Sequence, residues 1–420
     1  MALGCASGSR LGVCVIGDPP SNIQNIGAPK VPIVIYHSIA DEHRHLWSFM
    51  SLPIGLFERQ LAYLKRKAFQ TVTLYDVYEY LKFGKSLPAK SIVLTFDDGF
   101  LDSWVYVFPL LKKYGMKGTV FVTTDFVDPA EKRRKTIEDV WSGRQSKDGL
   151  QWWGYLSWAE MRTMYESGVI DFQSHARTHT WYFTNDKIID FHHPHDTYVW
   201  LLWNACPEQK YAWLNQGSQE CVPWGTPIYT YDQALLTKRY YEDPCLPKAL
   251  VDYVAQRGGS GFFDRRDWKR ELFEVADQYR SSHASGGFYE SESEYSERVR
   301  DELNYSKKTI QEKLNKSVDF FCWPCGDFTE KLHRMAVEES GYLATVTARK
   351  RPNQFGNDPS MIDRTYFRAD YRGPWRDRLI FLNFCATVNY QSGVPLSRWF
   401  VPLLGKGLIR LLHRSNSQKA

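Results

Sequence analysis

No run of roughly 18 or more apolar residues occurs in the 420-residue sequence, so it holds no candidate transmembrane helix. Residues 1–20 lack the charged start and sustained apolar stretch of a secretory signal, which leads us to expect a cytoplasmic protein. No concentrated Lys/Arg stripe is present, and the formal net charge is only +5, so a nucleic-acid partner is not expected. The short basic run Lys132, Arg133, Arg134 and Lys135 reads as a solvated loop or helix face. Among eight cysteines only Cys322 and Cys325 form a C-x-x-C, with no second pair at zinc-site spacing, which excludes a Cys₄ structural zinc. Scattered cysteines without a framework favour a reducing compartment.

What is present is the balance of a globular chain, 43% hydrophobic and 24% charged. Aromatics reach 15%, with 15 Trp and 25 Tyr, enough to stack on sugar faces as well as to fill a core. Residues 1–30 are rich in Gly, Ser, Pro and Asn and read as a flexible extension. From residue 31 short apolar runs alternate with amphipathic segments. Strands are expected over 31–36, 91–96, 118–123, 169–172, 318–322 and 342–347, with a brief extended piece at Val72. Helices are expected over 56–68, 74–83, 102–114, 157–167, 297–315 and 329–340. About seven β/α units of this kind predict a parallel α/β barrel, whose functional groups sit at the C-terminal ends of strands. Residues 181 to about 265 break the pattern with many Trp, Tyr and Pro, and read as an insertion over the catalytic face. Residues 373–420 form a C-terminal tail.

Three segments at strand ends carry chemistry. Asp97 and Asp98 follow the 91–96 strand and precede Gly99. Two adjacent carboxylates there are costly unless a cation or proton compensates one, although an isolated Asp-Asp-Gly is also an ordinary turn. His175 and His179 follow the next strand but one, and an H-x₃-H spacing lets two imidazoles reach one ion. With Asp98 they make three protein ligands and leave positions open for water, as in catalytic zinc sites. Third, Pro324 and Gly326 force a turn in Phe321-Cys322-Trp323-Pro324-Cys325-Gly326-Asp327 that can present backbone N–H groups inward. A redox role for its two cysteines is disfavoured, because neither opens a helix. His192, His193 and His195 lie in the insertion and read as an exposed polar loop, with a second metal site as the alternative.

Thr95-Phe96-Asp97-Asp98-Gly99-Phe100, Ser174-His175-Ala176-Arg177-Thr178-His179 and the Trp323-Pro324-x-Gly326 segment, in this order, resemble the polysaccharide deacetylase (NodB-homology, carbohydrate esterase family 4) superfamily. The segment Val34-Ile35-Tyr36-His37-Ser38-Ile39 resembles the poly-N-acetylglucosamine deacetylase branch. The resemblance covers roughly residues 31–180 and 290–370. It implies a distorted (β/α)7 barrel of the NodB type and a hydrolase that removes N-acetyl groups from amino sugars of a polysaccharide or its precursor. It further implies Asp98, His175 and His179 as ligands of a divalent metal, most plausibly Zn²⁺, and Asp97 as general base. The Cys325 N–H falls at the oxyanion position and His37 at that of a general acid, with an ordinary surface or core histidine as the alternative. The family's Arg in the third motif is replaced by Cys322, and no late Leu-x-x-His supplies an acid. Arg364 is a candidate substitute partner for Asp97.

Competing readings are an O-acetyl esterase or deformylase on the same site, and a carbohydrate-binding protein on a catalytically weak scaffold. The expected partner is an N-acetylated glycan or a lipid- or nucleotide-linked sugar. The apolar, basic tail segment 398–414 reads either as a peripheral contact on an anionic inner membrane face or as a segment packed on the barrel.

Overall fold

The computed structural model describes residues 29–41, 50–215, 221–283, 286–369, 371 and 373–394. Seven short strands carry the architecture: β1 Ile33–Tyr36, β2 Ser91–Phe96, β3 Gly118–Val122, β4 Ile170–Ser174, β5 Phe320–Cys322, β6 Ala344–Thr347 and β7 Met361–Asp363. They pair in parallel in that order. Thr365, just past β7, closes the ring. Its N–H donates to Ile33 O at 2.7 Å and its carbonyl accepts from the Ile35 N–H at 3.0 Å. The expected seven-stranded α/β barrel is therefore present.

Strands covered on both faces read as continuous apolar runs, and Ser91–Phe96 is buried throughout. Within them the side chains still alternate. Ile33, Val93, Phe121, Cys322, Val346 and Ile362 join one buried cluster. Val34, Leu94, Phe96, Val120 and Phe172 join another, with side chains of the surrounding helices α1 Ile54–Arg66, α2 Leu74–Phe83, α3 Phe108–Tyr114, α4 Trp158–Glu166 and α5 Glu292–Leu314. Of these helices α2 is the exception, setting Leu74, Val77 and Leu81 into the first cluster.

Several elements differ from expectation for identifiable reasons. The extended piece near Val72 is Gln70–Thr71, which pairs only beside β2 off the main ring, so the seventh member is β7 instead. The helix expected over 102–114 is split into a π turn, Ser103–Val107, and α3. Pro109 has no N–H to donate to the preceding turn, and Phe108 donates to Ser103 across the wider turn. The helix α5 begins at Glu292 rather than 297, because Ser291 and Glu294 form a capping box. The helix expected over 329–340 ends in a π turn, Met335–Glu339.

Between β4 and α5 the chain leaves the barrel. The antiparallel strands Trp181–Phe191 and Pro227–Gln233 and the helices Trp200–Ala205, Cys245–Ala255 and Trp268–Ser282 build this insertion, which runs past the expected limit near 265. It has its own core, including Phe191, Tyr229, Leu250, Phe262 and Leu272. A second cluster sets Trp200, Trp203 and Ile228 of the insertion against Phe100, Phe126 and Tyr155 of the barrel loops. Cys206 and Cys221 form a disulfide here, against the expectation of an unpaired set; their 15-residue separation is no recognisable framework spacing in sequence. A helix over Arg376–Gln391 packs Leu379, Ile380, Phe384 and Val388 into the barrel's helical layer. Residues 1–28 of the N-terminal extension and 395–420 of the tail lie outside the described residues. Among the described residues no helix is long and apolar enough to cross a membrane.

Candidate active site and metal centre

Each motif residue stands at the mouth of the barrel. Asp98 has φ 70°, and Gly99 has φ 77°. Two successive left-handed residues turn the chain sharply out of β2 and separate the directions of the Asp97 and Asp98 side chains. His175 directly follows β4 and His179 comes four residues later, with Ala176 (φ 67°) and His179 (φ 44°) also left-handed. Oδ1 of Asp98 lies 3.5 Å from His175 Nε2 and 3.6 Å from His179 Nε2. Two ligand atoms each about 2.1 Å from a tetrahedral ion would stand about 3.4 Å apart, so these three atoms are spaced for one cation. The His175 Nδ1–H donates to Cys322 O at 2.9 Å, which leaves the Nε2 lone pair facing Asp98. Burial drives His175 down to about 3 and also lowers His179, so both imidazoles are neutral and fit to bind metal. Burial pushes Asp98 up to about 6, the mark of a carboxylate without enough positive charge beside it.

Asp97 has such a charge. Arg364, which follows β7 and is 2% exposed, donates Nη1–H to Asp97 Oδ1 at 2.6 Å and Nη2–H to Oδ2 at 2.9 Å. Burial alone would push Asp97 up. The guanidinium outweighs this and holds the carboxyl at about 2. The same guanidinium reaches Cys322 Sγ at 2.8 Å and Thr95 Oγ1 at 3.1 Å. Asp97, His175 and Cys322 form a second group whose donor atoms converge. A second cation there would face Arg364, which already occupies Asp97 and Cys322, so we exclude that group as a metal site.

His37 directly follows β1, with Nε2 4.0 Å from Asp97 Oδ2 and its side chain 30% exposed. Cys325 sits in the turn after β5 with φ 57°, followed by Gly326 at φ 86°. A Cβ on Gly326 would come within 2.7 Å of Ala348 Cβ, so this turn requires glycine. Cys325 is exposed, but crowding by the surrounding site and the carboxylates of Asp98, Asp327 and Asp232 push its thiol up, which disfavours a reactive thiolate. The structure thus gathers Asp97, Asp98, His175, His179, His37, Cys325 and Arg364 at one end of the barrel.

His192 instead binds Asp196 through Nδ1 at 2.6 Å and stacks on Trp224, while His193 lies against Trp268. In the basic run, Lys132, Arg133 and Lys135 are exposed as expected, whereas the Arg134 side chain is withdrawn from solvent and bonds Asp128 and the Tyr155 carbonyl. Sequence reasoning missed Glu302 of α5 and Lys210 of the insertion, buried charges beside the histidine loop. Only the helical face occupied by Glu302, otherwise apolar around Val299 and Leu303, could have signalled the first.

Residues 84–218 match the family model described as polysaccharide deacetylase. The chain is 28% identical over 144 residues to the poly-beta-1,6-N-acetyl-D-glucosamine N-deacetylase of Escherichia coli, covering 34% of this chain and 20% of that protein. It is 30% identical over 122 residues to the protein of the same name from Staphylococcus aureus, covering 29% and 35% respectively. It thus spans a fifth to about a third of the length of these relatives. The solved de-N-acetylase from Aggregatibacter actinomycetemcomitans aligns with a TM-score of 0.49 at 16% identity, over 82% of this chain and 97% of that one. The segment similar to the polysaccharide deacetylase family contains Asp97, Asp98, His175 and His179.

Proposed function

We propose that the protein is a metal-dependent hydrolase that removes N-acetyl groups from the amino sugars of a glycan. The observation that carries this reading is the spacing of Asp98 Oδ1, 3.5 and 3.6 Å from two neutral imidazoles, next to a second carboxylate neutralised by Arg364. Two nitrogens and one oxygen at this spacing suit Zn²⁺ and leave room for substrate. A cation held there would acidify water and polarise an acetyl carbonyl.

The chain's own residues do the rest. Asp97, ionised across the neutral range, accepts a proton on the oxygen that Arg364 has oriented. His37 Nε2, 4.0 Å from that oxygen and open to solvent, is placed to protonate the departing amine. The Cys325 N–H donates to the developing oxyanion, in a turn whose left-handed backbone needs Gly326 behind it. Trp181 of the insertion, its ring 5.8 Å from that of His179, offers an aromatic face on which a sugar can stack. The names of the bacterial relatives support an N-acetylglucosamine polymer as substrate class. The Cys206–Cys221 disulfide supports an oxidising setting over the cytoplasmic one expected from sequence.

The test is release of free amine from N-acetylglucosamine oligomers. Chelation should abolish release and Zn²⁺ restore it, while Asp97→Asn should lower kcat on the order of 10²-fold or more. Release that survives both treatments would refute the reading. Acetate without amine from an O-acetylated sugar would assign an esterase, and glycan binding without release a binding module.

A further inference from the structure

The four residues after His175 do more than space two imidazoles. Ala176 and His179 both hold positive φ, at 67° and 44°, a conformation that costs a non-glycine residue on the order of a kcal/mol and persists only where its surroundings over-determine it. Here the surroundings can be named group by group. Glu302 Oε2 accepts from the Arg177 and Thr178 N–H groups, each at 3.0 Å, and Oε1 accepts from Thr178 Oγ1 at 2.6 Å. On the carbonyl side, the Thr124 N–H donates to Ala176 O at 3.4 Å and the Asp125 N–H to Arg177 O at 3.0 Å. Lys210 Nζ donates to Thr178 O at 3.2 Å and stands 3.7 Å from Asp125 Oδ2. The peptide groups between the two histidines are therefore tied on both sides.

Two of these ties are expensive. Glu302 is 3% exposed and Lys210 2% exposed, and an isolated buried charge costs several kcal/mol, so structure alone would favour apolar residues of similar size. A carboxylate and an ammonium do what apolar groups cannot, accepting from two peptides and donating to a third. Of the partners named here, Lys210 comes from the insertion, in the turn Pro207–Ala212 directly after the disulfide-bonded Cys206.

We propose that Glu302 and Lys210 are positioning residues for the metal centre, holding the left-handed loop in the shape that converges His175 and His179, and that Lys210 makes the insertion a structural part of that centre. This rests on the metal reading above. Loss of such partners behind metal ligands weakens metal binding by roughly 10- to 100-fold.

The experiment titrates the metal-stripped full chain with Co²⁺ alone, reading affinity from competition with a chromophoric chelator and geometry from the visible cobalt bands. Glu302→Gln, which keeps an acceptor for the two N–H groups, should bind within about threefold of wild type, whereas Glu302→Leu and Lys210→Met should lose roughly 10- to 100-fold and alter the bands. The metal-free melting temperature separates this from general destabilisation, since a purely structural role would lower it in both variants and leave Co²⁺ affinity intact. Wild-type binding with equal affinity in Glu302→Leu and Lys210→Met overturns the proposal alone. Should Glu302→Leu fail to fold, undiminished affinity in Lys210→Met overturns it. A wild-type chain that binds no Co²⁺ overturns the metal reading and this proposal together.

Discussion

Asp97 and Asp98 are neighbours in sequence at the end of one strand, yet they sit in opposite electrostatic settings. Asp97 faces the β5–β7 side of the barrel mouth, where Arg364 holds it at about 2. Asp98 faces the β4 side, where burial pushes it up to about 6 with two neutral imidazoles beside it. Asp102, a little further on, is 1% exposed and meets neither arginine nor histidine; burial pushes it up to about 7 despite the hydrogen bond from Ser38 Oγ. The three carboxylates share one loop and differ in what neutralises them. A guanidinium serves Asp97 and a proton serves Asp102, whereas Asp98 has neither beside it, a setting that a divalent cation would suit. The lesson is that donor geometry alone does not locate a metal. The group of Asp97, His175 and Cys322 converges as well as the group that contains Asp98, and only the presence of Arg364 separates them.

The comparison breaks most severely if a ligand is lost. His175→Ala should weaken Zn²⁺ binding by at least about 10²-fold, more than substitution of any residue behind the ligands, and chelator competition measures it. Removing the guanidinium comes next. Arg364→Leu strands a buried carboxylate and should cost about 3–5 kcal/mol in urea unfolding. It also sharpens the distinction between the two groups. The wild-type Co²⁺ protein should show no thiolate charge-transfer band, because Cys322 bonds Arg364, and Arg364→Leu is the variant in which such a band can emerge.

The smallest effect concerns Asp102. Its folded-state carboxyl lies above the ordinary 3.8, so the folded chain binds the proton more tightly than the unfolded chain. That contribution is fully present below pH about 4 and is lost as pH rises toward about 7. Asp102→Asn should flatten this slope and leave the protein about 1–3 kcal/mol more stable than wild type at pH 8. Parallel unfolding curves for the two proteins across pH 4–8 would remove Asp102 from the comparison.

Most of the barrel could be read from the sequence, because parallel strands buried on both faces leave uninterrupted apolar runs such as Ser91–Phe96. β7 was missed because three residues, Met361–Asp363, carry too little pattern, and its closure onto β1 through Thr365 is a backbone matter. The start of α5 was available in Ser291 and Glu294, a capping signal that the hydrophobic period alone passes over. At the site, the carboxylates and histidines stood out because their spacing at strand ends has few other uses. Arg364 was suspected only from the gap left by Cys322, and its contact with Asp97 spans 267 residues. Glu302 and Lys210 left no comparable trace. A single acid on an apolar helical face and a lysine in an aperiodic insertion gain meaning only when the fold brings them to the same loop.

The central claim is that the cation belongs to Asp98 and the base to Asp97, and calorimetric titration of the metal-stripped protein with Zn²⁺ tests it most directly. The account predicts one site in the wild type, retained within about threefold in Asp97→Asn and weakened at least about 10²-fold in Asp98→Asn. Zn²⁺ binding lost in Asp97→Asn but kept in Asp98→Asn would contradict it.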